Sequence, residues 1–249
     1  TEVSEEQEFI TTLAEQALYP EKPQLCFQKV EENLEEQAAF QQDDTERFHL
    51  AKKLHNRPCI RRLITCGGVD DGKSTLIGRL LYDTMDKQEQ ESIAKNQVYL
   101  RKDGSIDYAL LAGMTEEEAK QGITVQVSYS TFEGKSCSFL MADVPGHEEY
   151  TRNMAYAALD SDTAIIMIAA NKGIVPQTRR HTKICYFMGI RNMIFAVNKM
   201  DMTGYDRAVF DMILKEIRQM MQEYPGCHIQ IVPVAAKSGV NIIQAASEM

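Results

Sequence analysis

The 249-residue chain is 44% hydrophobic and 25% charged, with no tryptophan and a formal net charge of −9, which suits one large globular domain or a domain with an appendage. It has no run of 18 apolar residues, which excludes a spanning helix, and "TEVSEEQEF" lacks the basic-then-apolar order of a secretory signal, so a cytoplasmic protein is expected. The acidity is local: residues 1–50 hold 13 Asp and Glu against 3 Lys and Arg, the remainder 23 against 24, and neither part has the basic stripe that nucleic acid requires.

Residues 4–19 predict a helix, with Ser4 and Gln7 at capping-box spacing and an apolar stripe of Phe9, Ile10, Leu13, Ala14, Ala17 and Leu18. A second helix is expected over about 27–41, with Val30, Leu34 and Ala38 on one face, followed by a short helix or linker up to Pro58. The two stripes could cover each other as a hairpin joined by "YPEKP", leaving a strongly acidic surface for a basic patch on a partner. Residues 1–58 are thus read as an acidic helical extension and 59–249 as the main domain.

From Arg61 strands and helices alternate, which predicts an α/β domain with a mostly parallel central sheet flanked by helices. "RRLITCG" reads as a strand and Ser74–Tyr82 as a helix; "TVQVSYSTFE" and "KSCSFLMADV" read as an antiparallel hairpin edge turning at Gly134. "TAIIMIAAN", "NMIFAVNK" and "HIQIVPVAA" are short apolar runs suited to buried strands, with helices at about 148–159, 176–188 and 206–223. The six cysteines, at 26, 59, 66, 137, 185 and 227, form no CxxC pair and are expected to be reduced core thiols.

Between the first strand and helix, Gly67-x-x-x-x-Gly72-Lys73-Ser74 fits a phosphate-binding loop. Its backbone N–H groups and the helix dipole favour anionic phosphates; Lys73 would reach the β- and γ-phosphates, and the Ser74 hydroxyl would ligate Mg²⁺. Val69, Asp70, Asp71 and Thr75 complete the stretch that would wrap the nucleotide. "DVPGH" at 143–147 places Asp143 at a strand end, where it can hold Mg²⁺ through water, and Gly146 where its N–H can meet the γ-phosphate. "NKMD" at 198–201 ends a later strand; Asn198, Lys199 and Asp201 suit guanine, because a carboxylate accepts from both N1–H and the 2-amino group. Three motifs in this order, each at the C-terminal end of a strand, predict a GTPase that binds GTP and GDP with Mg²⁺. Thr124, in "GIT", falls where a first switch belongs and would be the second hydroxyl ligand of Mg²⁺, dependent on the γ-phosphate. His147 would orient the attacking water, with Val69 and Ile123 flanking it as an apolar gate.

"GGVDDGKSTLIGRLLYDT", "DYALLAGMTEEEAKQGIT", "DVPGHEEYTRNMA", "QTRRH" and "NKMD" resemble the translation-factor-like GTPases and, within them, the large GTP-hydrolysing subunits of bacterial sulfate adenylyltransferase (ATP sulfurylase), over about residues 61–249. Asp71 and the pair Arg179 and Arg180 favour that branch over elongation factor Tu, which has His where Asp71 stands. The resemblance implies a cytoplasmic enzyme subunit whose GTP hydrolysis drives synthesis of adenosine 5′-phosphosulfate from ATP and sulfate on a small ATP-sulfurylase subunit, with no membrane and no nucleic acid involved. The alternatives are an elongation-factor-type GTPase and a nucleotide-gated binding module with little turnover. The guanine-contacting Ser-Ala-Lys/Leu motif of the family appears as Ala235-Ala236-Lys237, so the Ala236 N–H can still meet guanine O6 but the bracing hydroxyl is gone. Glu118-Ala119-Lys120 departs from the family's Glu-Arg-Glu, residues 1–60 match nothing in it, and the end at "NIIQAASEM" predicts a fragment that lacks the last helix and two following β-barrels. Asp71 itself, repelled by phosphate, is expected to point away and pair with another group.

Overall fold

A computed structural model of the chain describes residues 59–113, 118, 124, 126–134 and 137–243. The acidic extension with its expected helices and hairpin, together with Ile123, Ala119 and Lys120, lies outside the described residues.

Six strands form one sheet: β1 (Ile60–Gly67), β2 (Ser128–Glu133), β3 (Ser138–Asp143), β4 (Thr163–Ala169), β5 (Asn192–Asn198) and β6 (His228–Pro233), in the order β2-β3-β1-β4-β5-β6. All neighbours are parallel except the β2–β3 hairpin at the edge, so the expected mostly parallel sheet with one antiparallel edge is present. The helices are α1 (Lys73–Thr84), α2 (Lys87–Lys95), α3 (Tyr108–Leu111), α4 (Thr151–Leu159), α5 (Pro176–Phe187) and α6 (Arg207–Met221). Among the described residues no helix is long and apolar enough to cross a membrane.

Alternation along the strands divides the core in two. Ile64, Cys66, Ile166, Ile168, Phe195 and Val197 pack on one face with residues of α4, α5 and α6, while Leu63, Ile165, Met167, Ile194 and Ala196 pack on the other with Leu76, Ile77 and Leu80 of α1. Every residue of β4 is buried, as its unbroken apolar run requires. Each fully buried Leu or Ile contributes about 1.5–3 kcal/mol relative to exposure, so the two layers hold the sheet from both sides.

Three features depart from expectation. β2 starts at Ser128 rather than at Thr124, because Ser128 pairs with Asp143, the last residue of β3. Beyond that point the partner turns into Pro145-Gly146 and offers no ladder. The second departure is α2, whose Asp86 and Glu89 form a full capping box and whose residues include none that is buried. The third concerns the cysteines: Cys59 and Cys137 are joined as a disulfide, with Cα atoms 4.8 Å apart. The parallel register that sets Ile60 opposite Ser138 brings the two preceding residues together across a sequence separation of 78, which spacing alone does not reveal. Cys66, Cys185 and Cys227 are free thiols.

α1 lies against α3 so closely that a Cβ on Gly78 would stand 1.6 Å from the Tyr108 carbonyl oxygen. Gly78→Ala should therefore lower the unfolding free energy by about 1–3 kcal/mol through overpacking, although alanine is favoured by about 1 kcal/mol in a free helix. Urea unfolding measures the sign: a stabilised variant would mean that the α1–α3 contact is looser than described.

Candidate functional site

The loop between β1 and α1 must reverse within a few residues, and the backbone does so with left-handed conformations at Asp70 (φ 63°) and Gly72 (φ 96°). A Cβ on Gly72 would come 2.4 Å from Asn198 Nδ2, so both conformation and space demand glycine there. Lys73 Nζ donates to the Gly68 carbonyl at 2.8 Å, folding the ammonium back over the loop. The N–H groups of Lys73, Ser74 and Thr75 precede the first internal hydrogen bond of α1, Leu76 N–H to the Gly72 carbonyl at 2.9 Å, and so stand at the positive end of the helix. From outside, Lys172 Nζ donates to the Val69 carbonyl at 3.1 Å and lies 3.9 Å from Asp70.

Asp71 is 1% exposed, and its Oδ2 accepts the Gly68 N–H at 2.7 Å. The carboxylate thus pairs inside the loop itself. Burial pushes its carboxyl above the usual range, while the Gly68 N–H and the nearby Lys73, Lys172 and Lys199 pull it down.

The expected metal residues meet beside this loop. Ser74 Oγ donates to Asp143 Oδ2 at 2.5 Å and lies 3.4 Å from Thr124 Oγ1. Asp143 is 2% exposed, and its other oxygen lies 3.1 Å from the Thr65 hydroxyl. Burial raises the Asp143 carboxyl, opposed by the Ser74 hydroxyl, Lys73 and the Thr65 hydroxyl. Burial likewise lowers the Lys73 ammonium, opposed first by Asp143 and then by Asp71. Two hydroxyls and one carboxylate form a hard-oxygen donor set that fits Mg²⁺, an ion that takes its remaining ligands from phosphates and water.

The chain after β3 lies directly on the phosphate loop: a Cβ on Gly146 would be 2.6 Å from Lys73 Nζ and 3.0 Å from Val69 N. His147, half-buried, precedes a short 3₁₀ turn at Glu148–Tyr150. Arg180 of "QTRRH" holds that turn through a 2.7 Å ion pair to Glu148.

At the end of β5 the buried Asn198 amide makes two ties. Its Nδ2 donates to the Asp71 carbonyl at 2.9 Å, and its Oδ1 accepts the Ala236 N–H at 2.9 Å. Lys199 takes a left-handed conformation (φ 61°), and Asp201 stands exposed in the 3₁₀ turn Met200–Thr203. Ala235 is buried and bonded to Val240, while the Ser238 hydroxyl donates to the Ala235 carbonyl at 3.3 Å, an internal brace for a loop that has alanine at 235.

Hydrogen bonds and close approaches therefore bring the phosphate-loop residues, Thr124, Asp143, Gly146, Asn198 and Ala236 together at the C-terminal ends of the strands, with His147, Lys199, Asp201, Ala235 and Lys237 adjacent to them in the chain. Thr65, Lys172 and His181 are further contributors that motif reading passes over. His181, 0% exposed on α5, accepts the Gly67 N–H on Nδ1 at 3.1 Å, which leaves the ring proton on Nε2. Burial, then Lys73 and Arg180, lower its pKa to about 4.

Comparison with known proteins gives the chain's relatives. The family of elongation factor Tu GTP binding domains matches residues 58–248. Sulfate adenylyltransferase subunit 1 of Shewanella woodyi is 42% identical over 200 residues, covering 79% of this chain and 43% of that protein. Its counterpart in Rhizobium meliloti is 45% identical over 185 residues, covering 73% of this chain and 37% of that protein. The chain thus spans less than half the length of these relatives. Among solved structures, bacterial selenocysteine-specific elongation factor EF-Sec superposes with a TM-score of 0.55 at 24% identity, over 73% of this chain and 26% of that one. The GTP-bound GTPase-like domain of S. cerevisiae Ski7 superposes with 0.59 at 18% identity, over 80% and 49%. These structures share the fold.

Because His181 is neutral when folded, the unfolded chain binds more protons between pH 6.5 and 4, and stability is lost as pH falls through that window. The contribution reaches at most about 3 kcal/mol. His181→Gln should flatten this part of the pH–stability curve relative to the parent; identical slopes in urea unfolding series would contradict the neutral, buried imidazole.

Proposed function

The chain belongs to the family of elongation factor Tu GTP binding domains, and from that premise we propose that it binds GTP with Mg²⁺ and hydrolyses it. In the whole protein that hydrolysis drives adenosine 5′-phosphosulfate synthesis from ATP and sulfate on a separate small subunit, in the cytoplasm. The observation that carries the nucleotide reading is the pair of bonds made by Asn198, which sets the guanine-side loop against the phosphate loop. The sulfate reading draws on identities of 41–45% to proteins named sulfate adenylyltransferase subunit 1, whereas the likeness to elongation factor EF-Sec, at 24%, extends to the fold.

Each residue has a role that follows from its place. The first N–H groups of α1 and the Lys73 ammonium would receive the β- and γ-phosphates, and the Gly146 N–H would meet the γ-phosphate, a role supported by how closely residue 146 approaches Lys73. Ser74 and Thr124 would hold Mg²⁺ directly and Asp143 through water; when bound, the ion would supply positive charge against the phosphates. Asp201 accepts from guanine N1–H and the 2-amino group, and the Ala236 N–H, already aimed at Asn198, is shared with O6. His147, at the mouth beside Gly146, orients the attacking water, and Glu148–Arg180 steadies the turn that carries it.

Asp201→Asn should exchange guanine preference for xanthine, because the amide reverses the donor and acceptor demand; unchanged GTP affinity would move the base site elsewhere. His147→Ala should slow single-turnover hydrolysis by about a hundredfold while GTP affinity stays near normal, and an equal loss of binding would make His147 structural. The coupling is tested by GTP consumption with the small subunit, ATP and sulfate, or with ribosomes. Stimulation by the former set supports sulfate activation, and stimulation by ribosomes alone overturns it.

A further inference from the structure

Arg79 lies on α1, meets the guanine-side loop at a different residue from Asn198, and belongs to none of the nucleotide motifs. Its side chain is 19% exposed, and its Nε pairs with Asp83 Oδ2 at 2.8 Å, one turn along the helix. Nη1 donates to the Tyr108 hydroxyl at 3.2 Å, and the guanidinium carbon lies 5.2 Å from the centre of that ring. These contacts fix the plane of the guanidinium. The same Nη1 makes a longer hydrogen bond, 3.4 Å, to the Lys237 carbonyl.

Gly239 closes the contact. Its φ of +82° suits glycine, and a Cβ there would stand 2.4 Å from Arg79 Nη2, 2.5 Å from Cζ and 3.0 Å from Nη1. These distances place a Cβ at 239 over the guanidinium itself, so only a residue without a side chain leaves Arg79 its place beside the loop. The loop that offers the Ala236 N–H is thus gripped twice: Asn198 holds it at Ala236, and Arg79 supports it at Lys237 and Gly239.

We propose that Arg79 is a specificity-determining positioning residue: it sets the 235–240 loop so that the Ala236 N–H reaches the 6-oxo group of a guanine base, without itself touching the nucleotide. The planar fork is essential, because its nitrogens bind Asp83, Tyr108 and the loop carbonyl at once in the space that Gly239 leaves open; a lysine ammonium could not reach all three. The inference rests on the guanine reading of the site and adds to it a residue that none of the three motifs contains.

The test uses the whole 249-residue chain and four probes: GDP, IDP, the diphosphate of 2-aminopurine riboside, which has the 2-amino group but no 6-oxo, and ADP. Arg79→Met should weaken GDP and IDP alike, by about fivefold, as expected for one strained hydrogen bond to O6, and leave the 2-aminopurine nucleotide within about twofold of the parent. Arg79→Lys should show the same selectivity. Asp83→Asn, which releases the guanidinium while keeping its bulk, serves as the second variant should Arg79→Met fail to fold, and should give a smaller loss of the same kind. Equal losses for GDP, IDP and the 2-aminopurine nucleotide would make Arg79 merely structural and overturn the proposal, as would no loss at all. A parent chain that binds ADP as well as GDP would overturn the guanine reading beneath it.

Discussion

The crevice depends on one buried carboxylate. Parallel pairing sets Asp143 of β3 opposite Thr65 of β1, two residues before β1 ends and the chain loops into α1. Ser74 then returns to the same carboxylate, so Asp143 receives hydroxyls from both sides of the loop while Lys73 lies beside it. A charge at this depth is costly unless it is paired and hydrogen-bonded. The surrounding donors offset that cost, and they fix where the phosphate loop sits relative to the sheet.

A second tie runs across the sheet to β5. Asn198 is buried and spends both ends of its amide, one on the phosphate loop and one on the loop after β6. The phosphate side and the base side are consequently joined by a single side chain, and a shift in either is felt by the other. Asp71 fits the same logic. A carboxylate facing phosphate would repel it, but here it closes on the Gly68 N–H among Lys73, Lys172 and Lys199. That N–H is then engaged within the loop.

What was legible in the sequence were the features whose meaning is local. The glycine-spaced loop, the Pro-Gly turn after an apolar strand and the Asn-Lys-Met-Asp strand end each specify their own backbone shape, and their order implies one crevice. The unbroken apolar runs likewise mark β4 and β5 as central. What was not legible depends on register and on helix packing. Thr65 is an ordinary β-branched strand residue until β3 lies beside it, and Cys59 meets Cys137 through that same register. His181 and Arg79 acquire their partners when α5 and the 235–240 loop pack against the phosphate loop and α1. The capping box of α2 was present in the sequence as Asp86 and Glu89, but a helix with no buried face leaves no apolar period to read.

The proposed site for a divalent cation turns on the Ser74–Asp143 pair. The most direct measurement is the Mg²⁺ dependence of GDP binding, by calorimetry, for the parent chain and for Ser74→Ala. Chelating Mg²⁺ should weaken GDP binding to the parent by at least about tenfold, the loss of one charge-assisted contact or more, and Ser74→Ala should bind GDP weakly whether or not the ion is present. GDP affinity in the parent that is indifferent to Mg²⁺ would contradict it.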